Sequence, residues 1–220
     1  MDTPAHGVTP SVPAIASDRV AGHVSLDFVN TVSWDIDGLR DERLKRYRDL
    51  VRWARESGLV SPEKGAALLE ASEREPMRAE QGLQRALVAR RLIRDVFHAV
   101  ALDQPVPAES LESLGTEAAR ATGASHIVSR EKRFVRAWDS SSSDLDQVIR
   151  PLLAAAAELL LSERVALVRE CANKHCGWLF LDESRNHLRR WCDMRVCGSR
   201  AKARRHYARR RQGLGLGARR

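Results

Sequence analysis

All four cysteines of this 220-residue chain fall between positions 171 and 197, and none occurs in the first 170 residues. Their pattern is Cys171-x4-Cys176-x15-Cys192-x4-Cys197. Two close pairs joined by a loop suit a tetrahedral ion: each pair offers two thiolates from one turn, and the loop folds back to bring the pairs together. Soft thiolates select zinc over magnesium or calcium, and four of them close the coordination shell, which makes the metal structural. An iron–sulfur cluster uses the same ligand set, and four unconnected buried cysteines are the plain alternative. His175 and His187 stand nearby as substitute ligands or, more simply, as solvated neighbours.

The residues around the cysteines predict the module's shape. Gly177 serves the turn after the first pair, residues 178–181 form a short strand, and residues 184–191 form a turn or short helix. Gly198 and Ser199 open a helix over residues 200–211. A cysteine turn, a hairpin and a helix opening at the last cysteine make a treble-clef-like order. So few residues cannot bury a core alone, so metal binding is expected to fold them.

Charge singles out the same end. From residue 171 onward the chain holds fourteen Lys and Arg against three acids, a net of +11, which leaves −3 for the first 170 residues. Basic residues cover most of the predicted helix, with Ala201, Ala203, Tyr207 and Ala208 left to pack. Such an element is not mainly a core element, and its natural partner is a polyanion. Arginine's planar fork fits phosphate oxygens or a guanine edge, and an α-helix fits the major groove. Arg189, Arg190, Arg195, Arg200, Lys202, Arg204, Arg205, Arg209 and Arg210 are therefore the expected nucleic-acid contacts, with double-stranded DNA as the partner. The bland alternative is a solvated basic face. Trp178 and Trp191 stack on bases or, more simply, pack around the metal.

The preceding residues read as mostly helical. Three prolines and no apolar period mark residues 1–20 as a flexible arm. Residues 22–34 lean to helix, followed by a turn at Asp35-Ile36-Asp37-Gly38. Helices are expected at 41–57, stopped by Gly58; from Ser61-Pro62 to about 73; at 76–102, ended by Pro105 and Pro107; and at 109–121. Residues 125–138 suggest a hairpin turning near Arg130-Glu131-Lys132. After a polar break at 140–143, residues 144–162 form an amphipathic helix. Asp27, Asn30 and Thr31 are polar groups in an apolar segment. They line a ligand pocket or, as buried polar groups generally do, bond neighbouring elements.

The module resembles the CGNR zinc finger of bacterial proteins. The resemblance lies in Cys171, Cys176 followed by Gly177-Trp178-Leu179-Phe180-Leu181-Asp182, Ser184-Arg185-Asn186, Arg189-Arg190-Trp191-Cys192 and Cys197-Gly198-Ser199-Arg200. Ser199 stands where the family has asparagine; both residues cap helices, so the fold should survive. Upstream, Leu26-Asp27-Phe28-Val29-Asn30-Thr31-Val32 resembles the start of the ABATE domain, which accompanies this finger in proteins described as stress-induced transcription regulators. The resemblance implies an α+β protein: a mostly helical regulatory domain at 21–168, a zinc finger with a basic helix at 169–211, and a flexible basic tail at 212–220.

Several function classes drop out. No apolar run spans a membrane, no signal peptide begins the chain, and no nucleophile–base pair, phosphate loop or catalytic metal motif is present. The expectation is a cytoplasmic, non-enzymatic DNA-binding regulator with structural zinc, whose first domain senses a signal or joins subunits into a homo-oligomer. Two rivals use the same basic helix: an RNA-binding or ribosome-associated protein, and an adaptor docking on RNA polymerase or another transcription protein.

Overall fold

A computed structural model describes residues 19–35, 38–130, 132–138 and 144–215. The expected arm at 1–18, Ile36 and Asp37 of the first turn, Glu131 of the second, the polar break at 140–143 and the last five tail residues lie outside the described residues. Among the described residues the chain is α+β and mostly helical, as expected, with three two-stranded antiparallel sheets. No helix among them is long and apolar enough to cross a membrane.

The helical layers are built around one long helix. In chain order the helices are α1 (Val24–Val29), α2 (Tyr47–Glu56), α3 (Pro62–Arg74), α4 (Pro76–Ala101), α5 (Ala108–Gly123) and α6 (Ile149–Leu160). The 26-residue α4 packs against all five others, burying Leu83, Ala86, Ile93, Val96 and Phe97. Local signals set the boundaries. Gly58 takes φ +73° after α2, where the Leu59 and Gly58 N–H groups bond back to Ala54 and Arg55 carbonyls. Ser61 accepts the Lys64 N–H at 3.2 Å while Pro62 opens α3.

Two expectations at the N-terminal end are corrected. The helix leaning over 22–34 ends at Val29, and Val32–Asp35 is instead a strand, β1, paired with β2 (Gly38–Glu42) through a register shift after Ser33. The helix expected from residue 41 starts at Tyr47: β2 runs through Glu42, and residues 43–46 connect it to the helix. Val32-Ser33-Trp34 alternates as a strand does; the i, i+3, i+6 recurrence of Leu26, Val29 and Val32 masked that signal. The predicted hairpin is present as β3 (Ser125–Arg130) and β4 (Arg133–Trp138), with Lys132 at φ +65° in its turn. A 3-10 turn, Leu145–Val148, precedes α6 and shortens the expected helix at its start.

One hydrophobic core runs through both ends of the chain. It joins Leu26, Phe28, Ile93 and Phe97 to Val168, Trp178, Leu179, Phe180 and Leu181. These later residues belong to the third sheet, β5 (Val168–Glu170) and β6 (Leu179–Leu181), whose strands flank the first cysteine pair. The finger is thus seated on the helical layers rather than tethered beyond them.

Candidate metal centre and basic helix

The β5–β6 hairpin delivers the first two sulfurs. Its turn closes with the Cys171 N–H donating to the Trp178 carbonyl at 2.8 Å and the Cys176 N–H to the Asn173 carbonyl at 2.9 Å. Gly177 leaves this turn at φ +61°, a conformation that favours glycine. The second pair returns through residues 182–191. The Ala172 N–H bonds the Arg190 carbonyl at 2.9 Å, tying the two cysteine loops together. Asp193 accepts from the Arg195 and Val196 N–H groups and caps a single π-type turn, Met194–Gly198, which carries Cys197. The basic helix α7 (Ser199–Gly215) follows without a break.

The N-terminal cap therefore sits one turn earlier than Ser199, whose hydroxyl instead donates to the Met194 carbonyl at 3.3 Å. A Cβ on Gly198 would lie 2.2 Å from Met194 Sδ and 3.3 Å from Trp191 Cδ1, so the exposed Met194 side chain would have to move aside.

The four sulfurs lie within 4.8 Å of one another and all four cysteines are buried. Cys176 and Cys192 sulfurs are 3.5 Å apart, and Cys192 and Cys197 3.7 Å. A zinc ion about 2.3 Å from each of four tetrahedral thiolates sets the sulfurs roughly 3.8 Å apart, so the cage has the size zinc needs. Its chemistry agrees. Bonds from Cys171, Cys176 and Cys192 hold the Cys197 thiol well below the usual range, while their sulfur neighbours push Cys176 and Cys192 well above it. Four buried sulfurs so close ionise together only around a cation, and four thiolates at this spacing suit a structural zinc. His175 and His187 are not ligands; His187 Nδ1 faces the Asp182 carbonyl at 2.8 Å.

Asn173 links metal and helix. It is buried, its Nδ2 donates to Cys197 Sγ at 3.4 Å, and its Oδ1 accepts from Arg204 at 3.1 Å. Partners of this kind around a thiolate fix its orientation.

The expected nucleic-acid contacts separate into two groups. Arg190, Arg195, Lys202, Arg204 and Arg205 are exposed and Arg200 is half-buried. Arg195 pairs with Asp193 at 3.3 Å yet remains 88% exposed, and Arg190 lies over the Trp191 ring at 5.6 Å. Arg209 and Arg210 continue along α7. From Ala201 to Tyr207 only Ala201 is buried, and Tyr207 is 65% exposed, so α7 stands away from the core along this stretch.

Arg189 differs and leaves the set. Its guanidinium donates to the Trp191 carbonyl at 3.0 Å, the Val20 carbonyl at 2.9 Å, and the Leu181 and Cys192 carbonyls, and it lies 4.4 Å over the Phe180 ring. Those bonds tie the finger to the N-terminal end and leave no free fork for a phosphate. Trp178 takes the packing role: it is buried and its indole N–H donates to the Val32 carbonyl at 3.1 Å.

Asp27, Asn30 and Thr31 are buried, and each has a hydrogen-bond partner. Asn30 pairs with both backbone groups of Leu179, donating from Nδ2 at 2.8 Å and accepting at Oδ1 at 3.0 Å. Thr31 donates to the Phe28 carbonyl and accepts from Arg90, while Asp27 accepts the Ala21 N–H. Their bonds satisfy the polar groups where α1 meets β6. A cavity of about 850 Å³ lies elsewhere, between α4, α5 and α6, with Val88, Leu92, Arg120, Arg150 and Leu153 among its walls. No sequence pattern marked it, because its lining comes from three helices in separate stretches of the chain.

Residues 22–163 match the model of the ABATE domain, described as a putative stress-induced transcription regulator, and residues 168–210 match the CGNR zinc finger. The chain belongs to the ABATE family. No curated protein matches it. With the sulfur cage in place, the family relation makes zinc the resident metal and points to a regulatory role.

Proposed function

We propose that this is a cytoplasmic transcription regulator that binds double-stranded DNA with α7. The observation that carries the reading is the helix's placement. It opens directly at the last zinc ligand, exposes Lys202, Arg204 and Arg205, and among its described side chains buries only Ala201. A rigid cage that fixes the first turn gives the basic side chains a defined direction, which suits a groove and its phosphates. The helical layers then sense a signal or bring subunits together. Their cavity has the size of a small-molecule site. The reading assigns no reaction to it.

The test is selection of genomic fragments on zinc-loaded protein at near-physiological salt, with a chelated sample alongside. A recurrent duplex motif lost on chelation is the expected result. Preference for structured RNA, or capture of a protein such as RNA polymerase with no DNA retained, overturns the reading.

A further inference from the structure

The β3–β4 hairpin is poorly accounted for by packing. Directly opposed residues share one face, so Ser125, Ile127 and Ser129 align with Trp138, Arg136 and Phe134. The near end of that face is anchored: Trp138 donates its indole N–H to the Ala121 carbonyl at 2.7 Å, and Arg136 pairs with Glu158 at 3.2 Å. The far end is bare. Ile127 is 77% exposed and Phe134 81% exposed. Arg136 shares their face, Lys132 lies in the turn beside them and Arg133 faces the other side of the ribbon opposite Arg130; Lys132, Arg133 and Arg136 are all exposed. Over residues 125–138 the sequence holds four Lys and Arg against one acid.

Lys and Arg on an edge strand guard it against pairing, but that role does not call for a large aromatic ring in water beside them. A second copy of this face would set like charges against one another, which disfavours self-association. A polyanion with apolar surface between its charges fits both features, and a two-stranded ribbon fits a DNA groove. The hairpin is anchored on α6 through Glu158, and α6 packs on α1, which packs in turn on β6 of the finger.

We infer that the β3–β4 hairpin is a second duplex-DNA contact, with Lys132 and Arg133 on phosphates and Phe134 and Ile127 against the sugar and base edges of the same duplex that α7 binds. This rests on the DNA-binding reading above and assigns to the ABATE domain a direct share of the contact.

The experiment measures binding of the zinc-loaded full chain to a fluorescent duplex over a range of salt. It compares wild type with Lys132→Gln/Arg133→Gln, with Phe134→Ala, and with Arg204→Ala/Arg205→Ala, after checking zinc content and melting temperature. Each phosphate contact contributes about 0.9 to the salt slope, so losing two flattens it by roughly 1.8. The hairpin double variant is expected to show that flattening and a shorter protected footprint; Phe134→Ala is expected to bind several-fold more weakly with an unchanged slope. If the α7 variant loses binding while both hairpin variants match wild type, the hairpin inference falls and the function stands. If the hairpin variants change only the oligomeric state, the hairpin is a self-association surface and the inference falls. If wild type retains no duplex, both readings fall.

Discussion

Two hairpins of this chain have the same topology and opposite environments. β5–β6 is three residues per strand, and all of Leu179, Phe180 and Leu181 are buried. β3–β4 is six residues per strand, and most of it is in water. Strand length and pairing therefore do not decide which hairpin is structural. What decides is the match between polar partners and the layer beneath. Asn30 completes the backbone of Leu179, and the Leu181 N–H reaches the Ala21 carbonyl at 2.8 Å, so β6 is satisfied on the side away from β5. In the longer hairpin Trp138, Arg136 and Ser125 tie one end to α5 and α6, while Ile127 and Phe134 stay exposed.

The largest break in this comparison comes from the metal. Structural zinc in small modules contributes on the order of 10 kcal/mol of folding free energy. A tethered finger would lose only itself on metal removal. A finger that shares the core exposes Leu179, Phe180 and the face of α4 they cover. Cys192→Ser is expected to release zinc and to lower the melting temperature of the whole chain in one transition. A helical domain that melts unchanged by circular dichroism, beside a metal-free finger, would show that the two ends do not share stability.

The next effect compares two phenylalanines. Phe180 is 0% exposed and lies under Arg189. Phe180→Ala removes a full core side chain and is expected to cost about 3–5 kcal/mol in urea unfolding. A cost under about 1 kcal/mol would place β6 outside the cooperative core.

Asn30→Ala comes third. It strips partners from the Leu179 N–H and carbonyl together, and an orphaned buried polar group costs about 1–3 kcal/mol. A destabilisation of roughly 2–4 kcal/mol with zinc affinity retained is expected. A neutral result would mean that water replaces Asn30 at the seam.

Asp182 gives a smaller effect that depends on pH. Burial raises its carboxyl, but the Ser184 hydroxyl at 2.5 Å and the Ser184 and Arg189 N–H groups outweigh burial and hold it below the ordinary range. A lowered folded value means that the stabilisation is present above the unfolded value, about 3.9, and is lost as pH falls through the folded value. Asp182→Asn is expected to lower stability at neutral pH and to flatten its decline below about pH 4. A variant whose curve parallels wild type there would remove Asp182 from the acid response.

The sequence was most readable where one residue type carries one geometric duty. Four cysteines in two pairs located the metal, Gly58 and Ser61-Pro62 located helix ends, and the run of arginines located the exposed helix. It was least readable where a residue's role depends on a distant partner. Arg189 has the same composition context as Arg190, yet its fork is taken by carbonyls from Val20 to Cys192. Asn30 looks like a pocket residue until Leu179, 149 positions away, is placed beside it. The β1–β2 hairpin was hidden because a short apolar segment fits both periods, and tertiary pairing chose between them. The cavity among α4, α5 and α6 is a property of packing angles that no single segment encodes.

The smallest expected effect sharpens the comparison most. Phe134 is the same residue type as Phe180 in the same kind of hairpin, but 81% exposed. With so little area removed from water on folding, Phe134→Ala is expected to shift stability by no more than about 0.5 kcal/mol, inside the range of ordinary surface changes. Urea unfolding of the two alanine variants side by side measures the difference directly. A loss of about 2 kcal/mol or more, the scale of a buried side chain, would mean that the β3–β4 face is covered in solution and that its ring is part of a packed surface. A near-zero shift together with weakened DNA binding would give the ring a use outside folding, which is the one account of an exposed phenylalanine that stability alone does not supply.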